Sequence, residues 1–298
     1  MPNFADQLLA AIDAKKSPAC VALDPVFESL PDELKAGIRP DDQGSQLEAI
    51  GLFSRRVLDL IVPHVPVVKV NSAYFERYHA DGVRLYDALL GEAAAMGLVT
   101  IGDCKRGDVG HTAEMYAAAH LAGASPHAIT INGYFGLDGA RPFVDVARSR
   151  GKGVFVLVRT SNPSAAAIQD VVAQDGRKVH EIVAAQVAEW ANESSLVGSR
   201  GYSSLGAVVA TRNAADAARL RAAMPKSIFL VPGYGAQGGK ASDFAPYFKS
   251  GHCGAIIVAG RSVIFAYADS QATGSTRQWE ESISGACRAF GTDLRAIS

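Results

Sequence analysis

Two carboxylates and a lysine follow one apolar run closely enough to act together. The string DCKRGD places Asp103 and Lys105 two residues apart, and Asp108 follows Gly107. Residues two apart point to the same side of an extended chain, and the glycine allows a turn that brings Asp108 back toward them. Lys69, near the end of an earlier apolar run, is expected to reach the same place.

This spacing predicts an array in which lysines and carboxylates alternate. Neighbouring carboxylates favour the charged form of both lysines, and each contact at about 4 Å is worth roughly 4 kcal/mol before desolvation at an effective dielectric near 20. Such an array can hold a proton donor beside a developing negative charge. Asp103 can also repel a carboxylate that is placed against it.

The position of DCKRGD favours a functional site over a solvated charged turn, which such a short string would otherwise suggest. It ends the third of eight short, mostly apolar runs. Runs that are apolar throughout are typical of strands covered on both faces, as in a parallel sheet. The predicted strands are CVALD (20–24), VPVVKV (65–70), LVTIGD (98–103), AITIN (128–132), GVFVLVRT (153–160), GAVVAT (206–211), IFLVPG (228–233) and AIIVAG (255–260).

Helical segments alternate with these strands and predict an α/β fold, a closed (β/α)₈ TIM barrel rather than an open doubly wound sheet. No GxGxxG opens the first helix, which argues against a dinucleotide-binding domain. We predict a single domain over residues 1–298, with an amphipathic N-terminal helix and a C-terminal helix around 276–290. The helices between the strands are predicted at 46–61, 83–96, 112–122, 139–150, 178–193, 213–223 and 241–250.

Polar side chains collect at the C-terminal ends of the predicted strands, where barrels build their active sites. Asp24 ends the first strand, Lys69 and Asn71 lie at the end of the second, and Ser161 follows the fifth. A charge at the end of a buried strand is costly without a partner. Several of them on one face of a barrel therefore indicate a site rather than structural ion pairs.

Two loops have the composition of a phosphate site. PGYGAQGG (232–239) follows the seventh strand, where a Gly-rich turn can offer backbone N–H groups to an anion and Gln237 adds a side-chain donor. AGRS (259–262) follows the eighth strand and contains Gly260 and Arg261, whose guanidinium suits a phosphate. Barrels often bind phosphate with these two loops, so the sequence predicts an enzyme acting on a phosphate ester.

Composition excludes several other classes. The net charge of −1 provides no basic excess for sequence-independent binding of nucleic acid. No run approaches the ~18 apolar residues of a membrane span, and the N-terminus lacks the pattern of a signal peptide, so we expect a cytoplasmic protein. The four cysteines have no zinc spacing and the histidines no HExxH grouping, so we predict neither a metal site nor a cofactor.

Longer motifs around these positions resemble the orotidine 5′-phosphate decarboxylase family, in particular its longer bacterial (type 2) group. The resemblance covers most of the chain, and its most specific feature is the combination of the DxKxxD string with two further motifs. The matching segments are ALDP (22–25), VKVNSAYFE (68–76), IGDCKRGDVGHTA (101–113), RTSNP (159–163), FLVPGYGAQGG (229–239) and AGRS (259–262).

The resemblance implies a reaction and a role for each matching residue. Orotidine 5′-phosphate would become uridine 5′-phosphate and CO₂ in de novo pyrimidine biosynthesis, without metal or cofactor. Lys105 matches the lysine that delivers a proton to C6 of the pyrimidine, and Asp103 matches the carboxylate that faces the departing group. Lys69 and Asp108 complete the charged array, and Asp24 and Lys69 would also contact ribose hydroxyls.

The resemblance also implies how the rest of the substrate is held. Ser161 matches the serine that hydrogen-bonds the pyrimidine, and Gln237 and Arg261 match the phosphate ligands. Asp108 and Thr112 match residues that reach into the neighbouring subunit's site, which implies a homodimer with shared active sites. The chain departs from the family pattern in having Val109 where isoleucine is common and Gly133 where close relatives would have proline.

The physical reading agrees with this reaction. The sequence has no pyridoxal-type or thiamine-type signature, so the protein itself must stabilise the anion left at C6. Two other functions remain open. One is a metal-dependent sugar-phosphate decarboxylase or aldolase-like lyase of the same superfamily, and the other is a non-catalytic barrel that binds a nucleotide or regulates a partner.

Overall fold

Eight parallel strands close into a barrel in chain order, which confirms the predicted TIM barrel. The computed structural model describes residues 2–123, 125–211, 213–236, 238–249, 253–268 and 278–297. The extent of the single domain, 1–298, stays a prediction. The strands are β1 (Ala19–Leu23), β2 (Val67–Asn71), β3 (Val99–Arg106), β4 (Ala128–Asn132), β5 (Gly153–Arg159), β6 (Ser203–Val209), β7 (Ser227–Pro232) and β8 (Ala255–Ala259).

Most of the described helices surround the barrel and pack on its outer face through an apolar layer, whereas the N-terminal helix belongs to a second apolar cluster with inward-facing strand residues. They are α1 (Phe4–Lys15), α2 (Asp32–Lys35), α3 (Gln43–Ile61), α4 (Ala73–Glu76), α5 (His79–Ala95), α6 (Gly110–Leu121), α7 (Gly136–Arg150), α8 (Ala166–Gln169), α9 (Val179–Ala191), α10 (Ala214–Ala223), α11 (Arg261–Ile264) and α12 (Gln278–Arg295). None of the helices in the described ranges combines the length and apolarity needed to span a bilayer.

One predicted helix was wrong in type. The segment predicted as a helix over 241–250 forms a 3₁₀ helix from Ala241 to Tyr247, and residue 250 lies outside the described residues. Pro246 lies inside it and has no N–H for an α-helical hydrogen bond, which favours this shorter, tighter turn.

Helix α1 packs its predicted apolar face against the barrel interior. Phe4, Leu8, Leu9 and Ile12 are buried together with inward-facing strand residues. The Phe4 ring packs edge-to-face on Phe155, with ring centroids 5.9 Å apart. Gly153 permits this approach, because a Cβ atom there would lie 2.2 Å from the Phe4 ring. With this side of the interior filled, the C-terminal ends of the strands are left to form the site.

Candidate active site

A cavity of about 610 Å³ opens at the C-terminal ends of the strands, and most of the predicted site residues line it. Its walls also include apolar side chains such as Leu157, Val208 and Leu230, which give a pyrimidine-sized ring a partly dry surface. The predicted residues that line it are Asp24, Lys69, Asp103, Lys105, Ser161, Gly260 and Arg261. Gln237, the predicted phosphate ligand after β7, lies outside the described residues.

Four charged side chains alternate in sign across this cavity. The Nζ atom of Lys69 lies 2.7 Å from Asp103 Oδ2 and 3.7 Å from Asp24 Oδ1. The Nζ atom of Lys105 lies 2.7 Å from Asp103 Oδ1. The predicted alternation is therefore present within one chain, but its second carboxylate is that of Asp24 rather than that of Asp108.

The two lysines differ in exposure. The Lys69 side chain is 8% exposed and is enclosed by Asp24 and Asp103, whereas the Lys105 side chain is 48% exposed. Both lysines line the cavity, but the ammonium of Lys69 is largely committed to holding the two carboxylates in place. Lys105 is the lysine whose ammonium group is more accessible to a ligand.

Charge pairing determines which groups are ionised. Burial acts to raise the pKa of Asp103, but Lys69 and Lys105 outweigh it and hold the pKa well below its usual value. Burial acts to lower the pKa of Lys69, but Asp24 and Asp103 raise it above its usual value. Asp24 differs, because burial raises its pKa and Lys69 only partly offsets that effect. Its Oδ1 atom is buried, has no hydrogen-bond partner among the described residues, and lies 3.7 Å from the Lys69 ammonium.

The backbone at Lys105 departs from the extended path on which the sequence argument relied. Lys105 has a φ of 46°, in the left-handed region, and the register between β3 and β4 shifts between Gly102 and Arg106. The prediction that Asp103 and Lys105 meet was correct, but the reason given for it was wrong. A bulge, rather than two-residue alternation, brings the Lys105 ammonium back to Asp103.

Thr130 is a residue of this site that the sequence argument missed. Its hydroxyl donates to Asp103 Oδ1 at 2.8 Å and accepts the backbone N–H of Lys105 at 3.0 Å. It lies in the mostly apolar run AITIN, where a threonine is an ordinary strand residue. The sequence did contain one signal for this role, which was a polar residue in the strand next to the one that carries Asp103 and Lys105.

The loop after β5 places Ser161 at the cavity through a side-chain clamp. Gln169 Oε1 accepts the Thr160 backbone N–H at 3.0 Å and the Arg159 guanidinium at 2.8 Å. Gln169 Nε2 donates to Thr160 Oγ1 at 2.7 Å. This clamp fixes the residues on both sides of the turn that carries Ser161, whose side chain remains exposed.

The glycine-rich turn after β7 uses several of its own N–H groups. Gly235 donates to the carbonyl of Gly239 at 3.0 Å, Gly238 to that of Gly235 at 2.7 Å, and Gly239 to that of Gly233 at 3.2 Å. The backbone donors predicted for an anion are thus partly engaged within the turn. Arg261, which is exposed and lines the cavity, is the charged donor at this end.

Asp108 and Thr112 are not brought to the cavity of their own chain. Asp108 accepts the backbone N–H of Val109 at 2.8 Å, and Thr112 is exposed on α6. Large apolar side chains are exposed on the same part of the molecule, including Met115 at 53% and Tyr134 at 84%. Neither residue therefore lines the cavity of its own chain, and exposed apolar side chains lie close to both in the sequence.

A closed parallel barrel with paired lysines and carboxylates at its open end has the architecture of a TIM-barrel enzyme. Within the described part of the chain, no group of three or more His, Cys, Asp and Glu side chains is arranged to hold a metal ion. Comparison with known proteins specifies the class further.

Residues 18–275 match the model of the orotidine 5′-phosphate decarboxylase / HUMPS family. An orotidine 5′-phosphate decarboxylase from Rhodopirellula baltica is 37% identical over 304 residues, covering 99% of this chain and all of the relative. One from Caldicellulosiruptor saccharolyticus is 36% identical, covering 90% of this chain and 91% of the relative. The structure of Leishmania donovani OMP decarboxylase superposes with a TM-score of 0.73 at 27% identity, covering 99% of this chain and 98% of that one.

The chain therefore belongs to the orotidine 5′-phosphate decarboxylase family. Its enzyme class is that of a carboxy-lyase, and its place is in pyrimidine biosynthesis.

Proposed function

We propose that this chain converts orotidine 5′-phosphate into uridine 5′-phosphate and CO₂, with Asp103 and Lys105 acting on the reacting carbon. The observation that carries the mechanism is the geometry of Asp103. Its two oxygens receive Lys69, Lys105 and Thr130 at 2.7–2.8 Å, so the carboxylate is held ionised and cannot easily turn away.

The substrate carboxylate would lie against this fixed negative charge. Two carboxylates about 4 Å apart repel by roughly 4 kcal/mol at an effective dielectric near 20. The repulsion ends when the C6–carboxylate bond breaks and neutral CO₂ departs. The repulsion therefore raises the free energy of the bound substrate more than that of the transition state, and binding energy from the rest of the substrate offsets this cost.

The bond's electron pair stays on C6, where no cofactor takes it up. The Lys105 ammonium, already paired with Asp103, stabilises the developing anion and transfers one N–H proton to C6. The neutral amine then regains a proton from water, which its 48% exposure permits. Lys69 holds Asp103 in place, and Asp24 and Lys69 accept and donate hydrogen bonds at the ribose hydroxyls.

The remaining cavity residues hold the rest of the nucleotide. Ser161 hydrogen-bonds the pyrimidine edge, and Gly260, Arg261 and Gln237 bind the phosphate. Binding energy from the phosphate, remote from the reaction, helps to organise the site. We also propose that the enzyme works in the cytoplasm, where the buried free thiols of Cys20, Cys104 and Cys287 would stay reduced.

We further propose a homodimer in which Asp108 and Thr112 complete the partner's site. Neither residue lines the cavity of its own chain, and exposed apolar side chains lie nearby, including Val109 at 51% and Phe135 at 42%. A group of exposed large apolar side chains in one part of the chain supports an interface there. A two-fold contact there would repeat the same patch on both subunits.

Turnover of orotidine 5′-phosphate in the presence of a chelator tests the reaction. We expect the absorbance of the orotate ring to fall at the same rate with and without EDTA. Loss of activity under chelation would favour the metal-dependent lyase. Tight binding of uridine 5′-phosphate without turnover would favour a non-catalytic nucleotide-binding barrel.

Changing Arg261 to alanine tests the phosphate contact. We expect KM to rise by about 10- to 100-fold, as one charge-assisted hydrogen-bonding group is worth about 1.5–3 kcal/mol, with a smaller change in kcat. Steady-state kinetics measure both parameters. Arg219→Ala, which removes an exposed arginine paired with Asp216 on α10, serves as the control. An unchanged KM would contradict the assignment of Arg261.

A further inference from the structure

We infer that Thr130 is a positioning residue for the decarboxylation, because one hydroxyl group fixes both the carboxylate of Asp103 and the backbone of Lys105. The inference rests on the proposed function of these two residues. Thr130 is fully buried in β4 and does not line the cavity, so it acts on the substrate only through its neighbours.

The direction of its hydrogen bonds follows from chemistry. A hydroxyl has a single proton, and an ionised carboxylate can only accept, so Thr130 Oγ1 must donate to Asp103 Oδ1 across their 2.8 Å contact. Its lone pairs are then available to the Lys105 N–H at 3.0 Å. The Thr130 hydroxyl is thus held by two hydrogen bonds, one to Asp103 and one to Lys105. These are the two residues whose side chains act on C6 in the proposed mechanism.

The backbone of Lys105 requires this acceptor. Where β3 bulges, the strand register shifts between Gly102 and Arg106, so the regular ladder is interrupted at Lys105. The left-handed conformation of Lys105, at a φ of 46°, costs free energy and persists only if surrounding contacts hold it. The Thr130 hydroxyl provides such a contact and takes the place of a ladder carbonyl.

The hydrogen bond from Thr130 to Asp103 also sets the geometry of proton transfer. Asp103 Oδ1 accepts from both Thr130 and the Lys105 ammonium, at 2.8 and 2.7 Å. Thr130 therefore joins the two ends of Lys105, its backbone directly and its ammonium through Asp103. A displacement of about 1 Å in such an arrangement can lower a rate by about 10²-fold.

Three substitutions at Thr130 separate the effect of its hydroxyl group from that of its methyl group. Thr130→Val keeps the shape and removes the hydroxyl, Thr130→Cys replaces it with a weak donor, and Thr130→Ser keeps it without the methyl. We expect kcat to fall about 10- to 100-fold in the valine and cysteine variants, and the serine variant to recover to within about threefold of the wild type. KM for orotidine 5′-phosphate and the affinity for uridine 5′-phosphate should change less than about threefold, since Thr130 does not line the cavity.

Thr100→Val provides a matched control. Thr100 is also fully buried, lies on β3, and uses its hydroxyl to join β3 to His127, which precedes β4. We expect this variant to lose stability on thermal unfolding while its kcat stays unchanged.

Two results would overturn the inference. One is a kcat for Thr130→Val or Thr130→Cys within twofold of that of Thr130→Ser. The other is an equal loss of kcat in Thr100→Val, which would indicate a general effect of removing buried hydroxyls. If the valine variant does not fold, the comparison of cysteine with serine still decides. Failure of the proposed function is distinct, because the wild-type chain would then not turn over orotidine 5′-phosphate.

Discussion

Lys105→Ala is expected to lower kcat by about 10³-fold or more, because in the proposed mechanism this one side chain provides both charge stabilisation and the proton. Lys105 presents its ammonium group to the cavity, whereas Lys69 is enclosed between two carboxylates. No other lysine among the residues lining the cavity is accessible enough to replace it. Single-turnover measurement of CO₂ release would report the loss directly.

Lys105→Arg separates the contribution of the positive charge from that of the transferred proton. It retains a cation near Asp103, but a guanidinium gives up a proton far less readily than an ammonium group does. We expect it to remain severely impaired. Lys226→Ala, which changes a lysine preceding β7 on the opposite face of the barrel, should retain wild-type kcat. Near-normal turnover in Lys105→Ala would show that the assigned mechanism is wrong.

The barrel and much of the charged site could be predicted from sequence because both depend on local patterns. Uninterrupted apolar runs predict buried parallel strands, and in a closed barrel all their C-terminal ends meet on one face. Charges placed after such runs must then lie near one another. Asp24, Lys69 and Asp103 converge for this reason, although they are far apart in the chain.

The features that sequence did not predict depend on exact register. The bulge at Lys105 depends on how β3 and β4 pair, which no residue type in DCKRGD specifies. The role of Thr130 depends on the same pairing. Gly133 is a similar case, since a Cβ atom there would lie 2.6 Å from Val156 Cγ1, a contact set by how the turn after β4 packs on β5. Such contacts arise between segments distant in sequence.

Asp108 lies outside the cavity of its own chain. The sequence predicts Asp108 in the charged array, yet within one chain Asp24 occupies that position, and Asp108 accepts the backbone N–H of Val109. A half-buried carboxylate outside its own cavity, next to the exposed Val109, is explained if a second subunit covers it. Its site residues would then be divided between two chains.

Mixing two inactive variants tests this division with a gain of activity. Lys105→Ala and Asp108→Asn should each lose most of their turnover as homodimers. In a mixed dimer with shared sites, one cavity contains Lys105 from one subunit and Asp108 from the other, and is wild type in composition. Random exchange of equal amounts should therefore restore about a quarter of wild-type activity.

If Asp108 instead served the cavity of its own chain, mixing the two variants would restore no activity. Every site in the mixed dimer would then carry one of the two defects. Refolding the variants together and separately, then assaying each at equal protein concentration, distinguishes these cases. Lys105→Ala mixed with Asp103→Asn is the matched control, because both residues lie in one chain's site and no exchange can restore it. Recovery in that control would contradict the assignment of Asp103 and Lys105 to a single cavity.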